Sequence, residues 1–521
     1  MAPNNSVLRF RLLPMGQALL LGLLTLLASP ALPQTAVPAA AATALPTLGD
    51  GNDLTPSAER RIGDRIAREL YRDPDYVDDP VIMDYVQGIW QPLMAASRLR
   101  GELPASLDEA FAWEILLGRD RSVNAFALPG GYFGLHLGLV GIVSNRDELA
   151  SVLAHELSHV TQRHISRSMS RQAAQAPWLM GAMILGILAA SKDPSAAQAT
   201  IVGGQAAAVQ SQLNYSRDME READRIGFTV QAQAGFAPQG FVGMFEKLQQ
   251  SSRLNDAGGF PYLRSHPLTT ERIADMQSRV RQSEQAGVSP VTTLEHAMVA
   301  ARARVLSNSA VDALRIWGQE VQPANLGKLS AAAQVGSLYG ATLSALKLRD
   351  FALARATLVR LQERTAGNAA ATRLARLLSL EMALVQGDIA GAAGLAKSSA
   401  MRADASRAAL LLGAQADTLA GKGDAAAQNL QTWVADHPRD AQAWQLLAAA
   451  HAAMGRSVAA VRAEVEVNVA QLDYTAALTR FKVAQDMARK SSLPADHIEA
   501  SIVDTRARQM ESMLREQALE R

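Results

Sequence analysis

Two short segments carry residue types and spacings that could do chemistry together: His155-Glu156-Leu157-Ser158-His159 and Glu220-Arg221-Glu222-Ala223-Asp224. On a helix, residues four apart share a face, so His155 and His159 can offer two imidazoles to one divalent ion, with Glu156 beside the remaining coordination position. That is the beginning of a hydrolytic zinc centre, which needs a third protein ligand and a carboxylate that accepts a proton from water. One known arrangement takes the third ligand from a His placed, with a Gly, at fixed offsets past the pentapeptide. Those positions hold Gln162 and Ile165, and His164 is one residue out of register. Another draws a carboxylate from a later helix, with an acid four residues beyond it to orient a ligand histidine, and Glu220 and Asp224 have that spacing. Alone, the second segment also reads as a solvated helix, since Arg217, Asp218, Arg221, Glu222 and Arg225 could form i,i+4 pairs. Together, in this order, the segments predict one zinc ion (Zn2+) per chain, held by His155, His159 and Glu220, with Glu156 accepting the proton of a water and passing it to the leaving amine.

These residues need elements to position them. The run 147–167 reads as the helix carrying both histidines, with Asp147 and Glu148 in its first turn. Upstream, 57–70 and 79–93 have helical periodicity, 113–117 reads as a strand, and 123–135 as strand, Pro-Gly-Gly turn, strand. An edge of such a sheet could pair an extended peptide through its backbone and lay it across the metal; core packing is the plainer use. Between the two ligand-bearing helices, 176–190 is strongly apolar and a small-residue helix follows over 196–212. The apolar run of that hairpin is shorter than the roughly 20 residues needed to span a bilayer and reads as a buried core helix, with peripheral membrane contact as the alternative. Gly258-Gly259 opens a loop carrying Ser265-His266-Pro267, and 270–280 returns to helix with Arg272 on it. His266 either donates to the transition-state oxyanion, acts as a fourth and inhibitory ligand plugging the open zinc position, or is a surface histidine. Arg272 or His266 would help to polarise the scissile carbonyl.

Composition narrows the setting. Arg9 and Arg11 precede an apolar run to Ala28 and a small-residue site at Ser29-Pro30-Ala31, the pattern of a secretory signal. The chain has no cysteine, which excludes disulfides, thiol nucleophiles and thiolate ligands, and export without disulfides favours a periplasm. A net charge of +1 leaves no electrostatic footprint for nucleic acid. From residue 289 the texture becomes alanine-rich helix pairs. Asp350, Asp388, Asp424 and Asp473 each open a helix, with Ala354, Ala392 and Ala477 at matching positions, and Trp444, Leu447, Ala448, Gly455 and Ala460 fit one tetratricopeptide unit. The expected fold is α+β and mostly helical: signal peptide and linker over 1–42, a catalytic domain with a small β-sheet over 43–288, and a tetratricopeptide-like α-helical solenoid over 289–521.

With the pentapeptide and the Glu220 segment, Asn124-Ala125-Phe126-Ala127, Ser265-His266-Pro267 and Arg272-Ile273 resemble the HtpX-related gluzincin metallopeptidases, in particular the periplasmic ones with a tetratricopeptide tail. The resemblance runs from about residue 50 to the C-terminus and is weakest in the repeats. It implies a zincin-type domain with Glu220 rather than Glu222 as third ligand and Asp224 as the acid that orients a ligand histidine. It also implies a periplasmic zinc metalloendopeptidase that degrades unfolded or stalled outer-membrane proteins and assists their assembly, with the repeats docking on the assembly machinery. The alternative is a chaperone or assembly scaffold whose protease activity is latent.

Overall fold

The computed structural model describes residues 54–171, 217–254, 261–283, 290–491 and 494–519. The expected signal segment, the apolar hairpin over 176–212, the Gly258-Gly259 loop and the 288/289 boundary lie outside the described residues.

Helices Pro56–Tyr71 and Pro80–Leu99 open the catalytic part. Each starts as capping chemistry dictates: the Thr55 and Asp79 side chains accept from Ala58 N and Ile82 N, with proline in the first turn. The second runs six residues past the sequence expectation and through Pro92, because Leu93, Met94, Ala96 and Ser97 continue its buried face. Tertiary burial outweighs the lost hydrogen bond.

Four strands form one mixed sheet: β1 (Tyr76–Val77), β2 (Glu114–Gly118), β3 (Ala125–Leu128) and β4 (Tyr132–His136), in the order β1-β2-β4-β3. The predicted hairpin is β3 against β4, with Ala125 opposite Leu135. Its turn needs Gly130 and Gly131, at φ 73° and 77°, and a Cβ on Gly130 would lie 2.6 Å from Arg60 Cα. β2 and β4 run parallel, and β1 is too short to carry a sequence signal.

Both faces of the sheet are covered. Ile115, Leu117, Phe133 and Leu135 join the core around helix Pro80–Leu99 and the histidine helix. Leu116, Leu128 and Tyr132 pack with Tyr474, Phe481 and Val503 of the last two helices, Tyr474–Lys490 and Pro494–Leu519.

From Leu294 onward the chain is helical and its helices pack mainly on their sequence neighbours. Asp350, Asp388 and Asp473 cap the helices they were expected to open, each after a residue with left-handed φ (Arg349, Gly387 and Leu472). Asp424 differs, lying inside helix Gly423–Asp436, whose cap Lys422 makes no side-chain bond. Ala354, Ala392 and Ala477 are buried, which lets neighbouring helices approach closely.

Charge joins this array to the catalytic part. Arg302 bonds Asp79 at 2.8 Å and Glu381 at 2.8 Å, while Arg407 makes a fork on Asp78 at 2.7 and 2.8 Å and also holds Asp440. Arg439 reaches Glu114 at 2.7 Å and the Tyr132 hydroxyl at 2.9 Å. Asp79 thus caps a helix of one part and pairs with an arginine of the other. Arg302→Met would leave Asp79 and Glu381 facing each other without their cation, an expected loss of about 3 kcal/mol. A lowered urea midpoint is the readout, and adding Asp79→Asn should restore part of it.

Candidate metal centre

The helix Arg146–Thr161 begins at Asn145, whose side chain accepts from the amides of Asp147 and Glu148, and is buried along nearly its whole length. Helix Arg217–Gln233 crosses it at Gly227, where a Cβ would stand 3.1 Å from the Ala154 carbonyl and the His155 nitrogen. The crossing therefore depends on small residues, and it sets Glu220 and Asp224 opposite the two histidines. Farther along, Gln231 donates to Asp147 O and Ala237 O, and the Ala237 amide donates to the Asp147 carboxylate, which locks the pair.

Four donor atoms converge: His155 Nε2, His159 Nε2, a Glu220 carboxylate oxygen and His266 Nδ1. His155 Nε2 lies 3.0 Å from His159 Nε2 and 3.3 Å from His266 Nδ1, Glu220 Oε1 lies 3.1 Å from His266 Nδ1 and 3.4 Å from His159 Nε2, and the other Glu220 oxygen, Oε2, lies 3.5 Å from His155 Nε2. A tetrahedral zinc site with arms of about 2.05 Å has edges of about 3.3 Å, so the cluster fits that ion. Zinc also explains the facing imidazole nitrogens, which cannot all be donors to one another.

All five groups, Glu156 included, are at most 2% exposed. Glu156 Oε1 is 3.4 Å from His266 Nε2, so His266 stands between the acid and the ligand cluster. His266 follows the single turn Tyr262–Ser265, and the Tyr262 ring lies 4.6 Å from the His266 ring.

Around this cluster sits a set of orienting contacts. Asp224 Oδ1 is 3.0 Å from His155 Nδ1. Arg272 donates to both Asp224 oxygens at 2.6 and 2.8 Å, pairs with Glu220 at 2.8 Å, and donates to the Pro267 carbonyl at 2.8 Å. Every guanidinium nitrogen is thereby engaged.

Burial alone would lower the His155 imidazole, but the carboxylates of Asp224 and Glu220 outweigh it and raise His155 to about 10 in the metal-free protein. Burial favours the neutral acid at Glu220, and His266, His155 and His159 outweigh it and hold Glu220 well below the ordinary range. At Asp224 burial is likewise overcome, by Arg272 and His155. Glu156 goes the other way: burial pushes it up, only partly offset by His266 and His155. A carboxyl raised toward neutrality suits a group that must take and return a proton.

The structure thus gathers His155, Glu156, His159, Glu220, Asp224, His266 and Arg272 in one place. It also places two residues that the sequence reading left outside the centre. The expected helix 147–167 stops at Thr161, Arg163 adopts φ 57°, and a new helix, His164–Arg171, begins. The break turns His164 back onto His159, Nδ1 to Nδ1 at 2.8 Å, with His164 Nε2 3.0 Å from Glu222. Gln162-Arg163-His164 contains no Gly, Asn or Pro to mark the break, so the sequence carries no local signal for it.

A pentapeptide helix crossed by a carboxylate-bearing helix beside a small mixed sheet defines a zinc-dependent metallopeptidase. The chain belongs to peptidase family M48: the family model matches residues 93–280, and a "Putative beta-barrel assembly-enhancing protease" of Vibrio cholerae is 31% identical over 467 residues. That similarity covers 88% of this chain and 91% of the relative. The "Beta-barrel assembly-enhancing protease" of Escherichia coli is 31% identical over 335 residues, 63% of this chain and 64% of the relative. A mitochondrial metalloendopeptidase of Saccharomyces cerevisiae is 29% identical over 196 residues, 37% of this chain and 54% of the relative. The chain is a zinc metalloendopeptidase.

Ligation through Nε2 requires His155 to give up the proton that its raised pKa keeps on it. Below pH 10, zinc uptake should therefore release a proton, and apparent affinity should climb with pH by up to about tenfold per unit. Calorimetric titration in buffers of different ionisation enthalpy checks this.

Proposed function

We propose that this protein is an exported endopeptidase of the periplasm that cleaves misassembled outer-membrane proteins and assists their assembly, and that it rests in a closed state. The observation that supports the reading best is the convergence of ligand atoms from His155, His159, Glu220 and His266, all within 4.8 Å of one another, beside Glu156. In this reading His155, His159 and Glu220 hold the zinc. Bound there, zinc supplies a Lewis acid that acidifies water and polarises a peptide carbonyl. Glu156 takes the proton of the attacking water and gives it to the leaving amine. Asp224 orients His155, and Arg272 holds the two acids in place, since its nitrogens are committed to Asp224, Glu220 and Pro267.

His266 takes the fourth position and, at 1% exposure, leaves no room for a peptide. It must leave before substrate enters. Once displaced, the same imidazole could donate to the oxyanion, the other role its position allows. β3 ends the sheet, and an extended substrate could add to it through backbone hydrogen bonds.

The periplasmic setting rests on the secretory pattern before residue 42 and the absence of cysteine, and unfolded outer-membrane proteins as substrates rest on the family resemblance and on the relatives' names, which speak of beta-barrel assembly. The helical array over 289–521 would be the tetratricopeptide-like domain and the dock for the assembly machinery, with peripheral membrane contact through the apolar stretch 176–190. Among the described residues no helix is long and apolar enough to cross a membrane. A second reading, an assembly scaffold whose protease is latent, draws on the same filled fourth position.

Glu156→Gln should keep its zinc, measured by metal analysis, and lose about 100-fold or more of its cleavage of an unfolded protein. Retained cleavage would remove Glu156 from the proton-transfer role. His266→Ala should cleave the same substrate faster than the parent; slower cleavage would make His266 an oxyanion donor, and no change would make it a bystander.

A further inference from the structure

We propose that His164 and Glu222 form a positioning relay that fixes the tautomer and orientation of His159; the proposal rests on the ligand set given above. On an unbroken helix a residue five positions on points about 140° away, so His164 could not face His159. The left-handed Arg163 interrupts the helix after Thr161 and brings His164 back, fully buried, with the ring centroids 4.8 Å apart.

Proton accounting then runs in one direction. A histidine that ligates through Nε2 carries its proton on Nδ1, and His159 Nδ1 is 2.8 Å from His164 Nδ1. His159 donates, so the His164 Nδ1 must accept, and the His164 proton sits on Nε2. That nitrogen is 3.0 Å from Glu222 Oε2, which accepts it. Glu222 is held in turn by Arg167 at 2.7 Å, one turn along the helix that His164 begins. Each contact leaves only one consistent assignment, and the chain ends on an ion pair.

The relay makes the two helix histidines unequal. His155 has the carboxylate of Asp224 on its second nitrogen, whereas His159 has a neutral imidazole backed by an acid. Glu222, the acid between Glu220 and Asp224, thereby acquires a role at the centre without being a ligand. Partners of this kind orient a ligand ring and raise its basicity, and their loss typically costs 10–100-fold in metal affinity.

The test follows zinc release from the full-length, zinc-loaded chain into excess colorimetric chelator. His164→Leu removes the acceptor, while His164→Asn places an amide oxygen where Nδ1 stood. His164→Leu should release zinc about 10–100-fold faster than the parent. His164→Asn should recover most of the difference, and Glu222→Ala should fall between. In the cobalt-substituted protein the visible ligand-field bands should change in His164→Leu and return toward the parent in His164→Asn, which a purely structural role would not produce. Parental release from folded His164→Leu overturns the relay, as does release from His164→Asn as fast as from His164→Leu. Should His164→Leu not fold, Glu222→Ala decides, and unchanged release from it overturns the proposal. His159→Ala is the control on the ligand set: if it binds zinc as tightly as the parent, that set fails, and the relay with it.

Discussion

Two ionised carboxylates, Glu220 and Asp224, stand side by side in the interior at 1% exposure, and what permits it is the guanidinium of Arg272 bonded to both, together with the imidazoles of His155 and His266 around them. Without a cation, burial would drive one or both to the neutral acid. A neutral Glu220 is a poor ligand, and a neutral Asp224 no longer favours the His155 tautomer that points Nε2 at the metal. Arg272 supplies the charge before any metal arrives, and its bond to the Pro267 carbonyl ties that charge to the loop bearing His266. The acids, the histidine helix and the closing loop therefore share one electrostatic anchor.

The same economy recurs at the junction with the helical array. Asp78 and Asp79, between the first strand and the second helix, are each gripped by an arginine from the array, and Arg439 binds the sheet through Glu114 and Tyr132. Such pairs are directional and lose much of their value when displaced, whereas apolar contact tolerates sliding. The last two helices add an apolar seal on the outer face of the sheet. The strands that frame the site are thus clamped from behind by the part of the chain expected to bind partners. A partner that altered this contact would act on the sheet directly.

Much of the centre was legible in sequence because its information is local. The i,i+4 spacings of His155 with His159 and of Glu220 with Asp224 need only a helix to become shared faces, and both segments are helical. The Asp-capped helix starts at 350, 388 and 473 were legible for the same reason, with Asp424 the exception that packing decides. What stayed hidden depends on pairing or on one backbone angle. β1 exists only because β2 lies beside it. The helix through Pro92 is held by its buried face. His164, set aside for being out of register, reaches His159 because Arg163 takes a left-handed φ, which no periodicity reveals.

A closed centre has a consequence for how the proposed peptidase would be controlled. In that reading a third imidazole at the metal would compete directly with water and with a substrate carbonyl, and the resting population of open enzyme would be set by the free energy of withdrawing His266. That withdrawal would also break the tilted ring contact with Tyr262 and the approach to Glu156, while the Arg272 bond to Pro267 would limit how far the loop could travel. Opening would then be a short movement about an anchored point rather than an unfolding, and the proposed ligands that remain, His155, His159 and Glu220, would stay on two helices that meet closely at Gly227. Keeping the metal and exposing it become separable, because the residues that would hold the ion are rigid and the one that would cover it sits on a single turn.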